Sequence, residues 1–135
     1  VARYDKRRLF PFGEYVPFAE QLERWFGLTT IAASTNAIAH GDSEPLMRLP
    51  GIPGVLVPAI CYEGSFALSR AEREAPGAYI VNISNDAWWA GSNGSRFVEQ
   101  EARLRAIEAG LPLIRVPNMR EAKVFDAHGK QTQLP

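Results

Sequence analysis

One thiol, Cys61, and two imidazoles, His40 and His128, are all that the 135 residues contain. A lone cysteine excludes an internal disulfide framework and a multi-cysteine zinc site, and the two histidines have no metal-ligand spacing between them. Their scarcity speaks against metal chemistry, and nothing in the chain asks for a cofactor. Net charge is missing too: fifteen Lys and Arg balance fifteen Asp and Glu, for a formal charge of +0. Without a basic excess, nucleic acid is not the expected partner. No apolar run approaches the roughly 20 residues that span a bilayer, and the opening Val-Ala-Arg-Tyr-Asp-Lys is not a signal peptide, so these residues alone read as soluble. An initiator Met is absent and the chain opens in a charged segment, which reads as an excerpt from a longer protein or a processed product.

What is present suits one packed domain, with 46% hydrophobic and 22% charged residues and no repeats. Prolines and glycines punctuate short elements. Two prolines and a glycine in Leu9 to Pro17 forbid a regular helix and predict an ordered loop. Phe18, Leu22, Trp25 and Phe26 then recur at helical spacing, which predicts an amphipathic helix over 17–26 that Gly27 stops. The stretch from Thr29 to Asp42 has no clear period and is left as strand or loop. Strands are predicted at Leu46–Leu49, Val55–Ile60, Ala78–Ile83, Leu111–Val116 and Ala122–Phe125, the last followed by a hairpin turn at Ala127-His128-Gly129. Helices are predicted over 64–75 and 96–109. For the second, Ser95 is the expected cap, Glu99 with Arg103 and Glu101 with Arg105 are the expected side-chain pairs, and Gly110 the stop. Strands alternating with helices make an α/β layered domain, in which reactive groups favour the carboxyl ends of strands.

Cys61 stands at one such end, and the Asn85-Asp86 loop follows another. A free cysteine is often just a small buried hydrophobe. At a strand end leading into a helical turn, it is also where a thiolate is favoured, and a nucleophilic thiol needs a base. His40 and His128 lie in loops that nothing links to Cys61, which leaves Glu14 and Glu63 as carboxylate candidates. Lys6, among Arg3, Arg7 and Arg8, reads locally as part of a solvated basic patch. Trp88 and Trp89 read either as core plugs or as a lid over an apolar ligand.

Three segments then occur in a telling order: Tyr4-Asp5-Lys6-Arg7-Arg8-Leu9-Phe10-Pro11-Phe12-Gly13-Glu14-Tyr15-Val16-Pro17, Ile60-Cys61-Tyr62-Glu63, and Asn82-Ile83-Ser84-Asn85-Asp86-Ala87-Trp88-Trp89. Together with Ala102 to Arg115 and Asn118, they resemble the successive signatures of the apolipoprotein N-acyltransferases, within the nitrilase or carbon-nitrogen hydrolase superfamily. The resemblance implies an α/β fold, part of a four-layered α-β-β-α sandwich, with residues 1–135 as the latter part of the catalytic domain. It implies Cys61 as nucleophile, Lys6 as the cation on the tetrahedral oxyanion, Glu14 as supporting carboxylate and Glu63 as a further required residue. Tyr62, Asn85, Asp86, Trp88 and Trp89 are the implied substrate-binding residues. The implied partners are a phospholipid acyl donor and a lipoprotein acceptor, at the periplasmic face of a bacterial inner membrane.

In that family the general-base glutamate and the transmembrane helices precede the lysine motif, so the 135 residues alone are expected to be inactive and to leave apolar faces uncovered. Three departures fall in or after the loop expected to border the substrate. The tryptophan loop usually continues Phe-Gly and here reads Trp89-Ala90; the Gln-His pair of the next helix is Phe97-Val98; and the glycine-containing segment after Asn118 is Met119-Arg120-Glu121-Ala122. The alternatives are a soluble nitrilase-type amidase, with water as acceptor, and a divergent non-catalytic relative such as a component of a conjugal-transfer system.

Overall fold

The computed structural model describes residues 2–27 and 38–132. Five strands form one sheet in the order of the chain: β1 Val55–Ile60, β2 Ala78–Ser84, β3 Leu113–Pro117, β4 Lys123–Phe125 and β5 Gln131–Thr132. The first three are parallel, and β4 and β5 return antiparallel. Among the described residues three α-helices accompany them: α1 Ala19–Phe26, α2 Arg70–Arg73 and α3 Gly94–Ala109. Two short 3-10 turns, Cys61–Ser65 and Asp86–Trp89, follow the carboxyl ends of β1 and β2.

Burial alternates along the parallel strands, as a pleated strand demands. Val55, Val57, Ala59, Ala78, Ile80 and Leu113 point to the face that α3 covers with Ala102 and Ala106, and Phe125 from β4 closes the cluster. Alanine on α3 lets the helix approach the sheet closely. The opposite face carries Leu56, Pro58, Ile60, Tyr79, Val81, Ile83, Ile114 and Val116, which are half-buried or exposed. Apolar residues on both faces are the pattern of parallel strands built to be covered twice. The described residues thus form one sheet and one helical layer.

Tertiary contacts overrode several local expectations. The helix expected over 64–75 is divided: the 3-10 turn ends at Ser65, and α2 starts only after Ser69, whose hydroxyl accepts the Glu72 N–H while the Glu72 carboxylate accepts the Ser69 N–H. That reciprocal cap fixes a new helix start. The strand expected at Leu46–Leu49 is reduced to one antiparallel bridge, Met47 to Leu56. Ser95 is buried inside the first turn of α3, whose N-cap is Asn93, whereas Gly110 ends the helix in the left-handed region as expected.

The two expected side-chain pairs on α3 are replaced by cross-element contacts. Glu99 binds Lys123 at 2.7 Å, Arg103 donates to the Gly129 carbonyl, Glu101 accepts from the Ser65 hydroxyl, and Arg105 donates to the carbonyls of Gly64 and Ser65. Partners on β4, on the β4–β5 turn and on the 61–65 turn take the place of the expected i,i+4 partners, while Arg105 also pairs with Glu108 one turn along its own helix. The β4–β5 turn is where it was expected, with the Asp126 carboxylate accepting the N–H groups of His128 and Lys130. Helix α1 starts two residues later than expected, with Phe18 outside it as a left-handed N-cap, and its apolar residues are not buried, since Trp25 and Phe26 are 72% and 66% exposed. Of the stretch from Thr29 to Asp42, residues 29–37 lie outside the described residues.

Because Phe125 is only 1% exposed and plugs the cluster between sheet and α3, Phe125→Ala is expected to lower stability by about 3–5 kcal/mol. Chemical denaturation of the two forms checks this, and a loss under about 1 kcal/mol would mean that the cluster is not the core.

Candidate active site

Register places the two sequence landmarks side by side. Ile60 pairs with Ile83 at the parallel ends of β1 and β2, so the residues that follow, Cys61 and Ser84-Asn85, emerge from neighbouring strands. The chain at Cys61 leaves the strand abruptly, with a φ of +53°. A non-glycine residue in the left-handed region costs roughly 1–3 kcal/mol and persists only where its surroundings hold it.

Three sets of bonds hold it. The Asn82 side-chain amide donates to the carbonyls of Ala59 and Cys61, at 3.0 and 3.4 Å. Gly64 makes room for that amide, since a Cβ there would lie 2.8 Å from Asn82 Nδ2. Arg105 from α3 binds the carbonyls of Gly64 and Ser65. The third set centres on Glu63, which is only 8% exposed. Its carboxylate accepts the Ile60 N–H at 2.8 Å, the Arg7 and Arg8 N–H groups at 2.7 and 3.0 Å, and the Tyr4 hydroxyl at 3.1 Å.

Glu63 therefore fastens the segment on either side of Lys6 to the turn that starts at Cys61. Burial raises the Tyr4 phenol above its ordinary value of 10.0, and the neighbouring Glu63 carboxylate adds to this against the opposing pull of Arg7. The phenol stays protonated and able to donate.

Lys6 is not part of a solvated patch. Its side chain is 9% exposed, and Nζ donates to both oxygens of Glu14 at 2.6 Å. The same carboxylate accepts the Phe10 N–H at 2.6 Å, and the Glu14 N–H returns to the Phe10 carbonyl at 2.8 Å, closing the tight loop that the prolines predicted. Glu14 and Cys61 both line a cavity of about 640 Å³. Its walls are mainly apolar: Phe10, Tyr62, Trp88, Trp89, Phe97, Val98 and Leu113. Tyr62 is packed edge-on between Phe10 and Phe66, with centroids 5.0 Å away on each side, and the Arg8 guanidinium lies 4.2 Å over the Phe66 ring.

The remaining expected residues divide. Trp88 and Trp89 border the cavity and are 69% and 39% exposed, so they are rim rather than core. Asn85 and Asp86 stand outside the lining. Asp86 is 2% exposed and faces inward, to Arg115 at 2.8 Å and the Ser84 hydroxyl at 2.8 Å, while Asn85 accepts the Ala87 N–H and the Asn118 amide. His40 and His128 are exposed, and neither lines the cavity. Local reading passed over Asn82 and Arg115 as polar members of apolar strands. Their signal was the alternation itself, which turns both positions toward the buried face, where a polar group needs a built partner.

A mainly apolar cleft lined by Cys61, whose backbone is strained, and by Glu14, which holds the ammonium of Lys6, itself outside the lining, has parts that suit nucleophilic attack on a carbonyl. Glu63→Gln, which keeps the shape but removes the charge that four donor groups share, is expected to destabilise the chain by about 1.5–3 kcal/mol, and Tyr4→Phe by about 0.5–1.5 kcal/mol. Because the folded phenol titrates above its unfolded value, its contribution is complete below the ordinary phenol range and is lost as pH rises through the raised value. Thermal melts of wild type and Tyr4→Phe against pH should therefore converge on the alkaline side; a constant gap would show that the phenol does not carry the clip.

The carbon-nitrogen hydrolase family matches residues 1–132. The chain is 40% identical over 130 residues to the apolipoprotein N-acyltransferase of Rhizobium meliloti (strain 1021), 40% over 131 residues to that of Allorhizobium ampelinum, and 37% over 130 residues to that of Bradyrhizobium diazoefficiens. In each, the alignment takes in 96% of this chain and 24% of the relative, so the chain spans about a quarter of the length of the curated relatives it matches. Among solved structures, a CN-hydrolase superfamily protein from Xanthomonas campestris superposes with a TM-score of 0.62 at 22% identity, covering 96% of this chain and 46% of that one. An amidase from Neterenkonia sp. AN1 does so with a TM-score of 0.50 at 16% identity, covering 97% and 46%. With the family match running almost from end to end and its fold shared by both solved structures, this chain belongs to the carbon-nitrogen hydrolase family.

Proposed function

We propose that the chain carries the nucleophile half of an N-acyltransferase, which moves a fatty acyl group from a phospholipid to the N-terminal amine of an apolipoprotein. The observation that carries this reading is the position of Cys61: a thiol strained at a strand end, in the wall of an apolar cavity that Glu14 also lines. A small amide would not need seven apolar or aromatic side chains around it; an acyl chain does. The 40% identity to apolipoprotein N-acyltransferases supports the same choice.

In this reading the Cys61 thiolate attacks the ester carbonyl. The C–S bond forms, and the carbonyl electrons move to an oxyanion that Lys6 stabilises, with Glu14 fixing the ammonium. Collapse expels the lysophospholipid alkoxide, which takes a proton, and leaves a thioester. The acceptor amine then attacks that thioester, its surplus proton passes to the general base that this reading places elsewhere in the protein, and the C–S bond breaks with Cys61 departing as thiolate. Tyr62, Trp88, Trp89 and Phe97 form the apolar entrance. Glu63 acts through the turn it holds, and Asn85 and Asp86 act through the shape of the tryptophan loop.

The reading further places a general-base glutamate and membrane anchorage in other parts of the protein, with this domain on the periplasmic side of a bacterial inner membrane. No helix among the described residues is long and apolar enough to cross a membrane. The 135 residues by themselves are expected not to turn over.

The test is acyl-enzyme trapping in the intact protein with a phospholipid labelled in its acyl chain. A hydroxylamine-labile label on Cys61 is expected, absent in Cys61→Ser and formed roughly 10²–10³-fold more slowly in Lys6→Met. Label retained by Cys61→Ser would overturn the assignment. Transfer of the trapped acyl group to water as fast as to an amine would replace the acyltransferase by a hydrolase.

A further inference from the structure

We propose that Arg115 is a positioning residue of this site: one buried cation that holds the tryptophan-bearing 86–89 turn in register with the Cys61 turn, and so sets how a long apolar chain lies against the thiol. The nature of that chain rests on the acyl-transfer reading; the coupling rests on geometry alone.

Arg115 lies in the middle of β3 on the buried face and is 3% exposed. A guanidinium so placed is tolerated only with its charge paired and its N–H groups satisfied. Its two terminal nitrogens face different sides of the site. Nη2 donates to both oxygens of Asp86 at 2.8 Å, and Nη1 donates to Asn82 Oδ1 at 2.7 Å. Asn82 in turn donates to the Ala59 and Cys61 carbonyls, which bracket the bend into the thiol-bearing turn. Asp86 opens the turn that carries Trp88 and Trp89, and its own N–H is held by Asn118 at 2.9 Å.

A continuous chain of bonds therefore runs from the Cys61 carbonyl through Asn82, Arg115 and Asp86 to the tryptophan loop, across three adjacent parallel strands. The planar fork fixes the spacing between its two partners, so neither turn can shift without the other. Asn82 and Arg115 also line the cavity that Cys61, Trp88 and Trp89 line. A lysine at 115 keeps the charge beside Asp86 but cannot bridge both partners. The loop is then released from the thiol, and the distance from apolar wall to sulfur is no longer set.

The test compares alkylation of Cys61 by iodoacetamide and by N-dodecyl iodoacetamide in the intact protein, with the modified site read by peptide mapping. For Arg115→Lys and Asp86→Asn, the half-saturating concentration of the dodecyl reagent is expected to rise about tenfold, while the iodoacetamide rate stays within about twofold of wild type. Asn118→Ala loosens the turn from outside the buried pair and should move the same constant in the same direction by a smaller factor. This variant decides the matter if Arg115→Lys does not fold. An unchanged half-saturation across the set overturns the proposal, and so does an equal fall in both rates, which is what simple loss of the Cys61 bend would produce. Because alkylation needs no acyl transfer, an intact split between the two reagents without any trapped acyl-enzyme would leave the coupling standing and overturn the acyltransferase reading. The reverse result would do the opposite.

Discussion

Four donor groups from two distant parts of the chain converge on the Glu63 carboxylate, and the rest of the site depends on that meeting. An ionised carboxylate out of water is costly unless its lone pairs are filled. Here the backbone flanking Lys6 fills them on one side and the end of β1 on the other. The charge that burial would otherwise penalise becomes the reason why two segments more than fifty residues apart keep a fixed relation. Lys6 and Cys61 need not touch Glu63 to be placed by it.

A second buried charge, Arg115, is likewise paired, with Asp86 at 2.8 Å, and it lines the cavity itself. Removing one member of a buried pair such as Arg115 and Asp86 strands the other and costs about 3–5 kcal/mol, whereas an apolar replacement of both is often tolerated. A buried ion pair is thus weak evidence for stability as such and better evidence for fixed geometry. The bend at Cys61 lies between the two networks, with Asn82 and Arg105 reaching it from the sheet and from α3. Its strain is small beside the bonds that surround it.

Much of this was legible in residue order. Apolar runs bounded by Pro and Gly gave the parallel strands, Gly110 gave the end of α3, and the strand-end position of Cys61 was visible from Val55–Ile60 alone. Adjacent pairing of consecutive strands then brought Cys61 and the Asn85 loop together. What was not legible is what partners decide. Lys6 among arginines looks solvated until Glu14 is seen to fold back on it, and Glu99 looks paired with Arg103 until Lys123 arrives from β4. Likewise, the spacing in residues 64–75 is helical throughout, but the Ser69 cap and the bonds to the 61–65 turn break it in two. Local periodicity reports which face is apolar; it is silent on which distant donor will satisfy a given acceptor. The motif resemblance named Lys6 and Glu14 as site residues but was equally silent on these contacts.

The clip at Glu63 also bears on how the chain comes to its final form. Its bonds to Tyr4, Arg7 and Arg8 join residues 59, 56 and 55 positions apart, across the end of β1. Contacts of such long sequence separation form slowly, because loop-closure entropy is spent before any bond returns it. Helix α3 and the β4–β5 hairpin, by contrast, are local and have no such wait. The bend at Cys61 is therefore a part of the fold whose surroundings are assembled over long stretches of chain, after the local elements beside it.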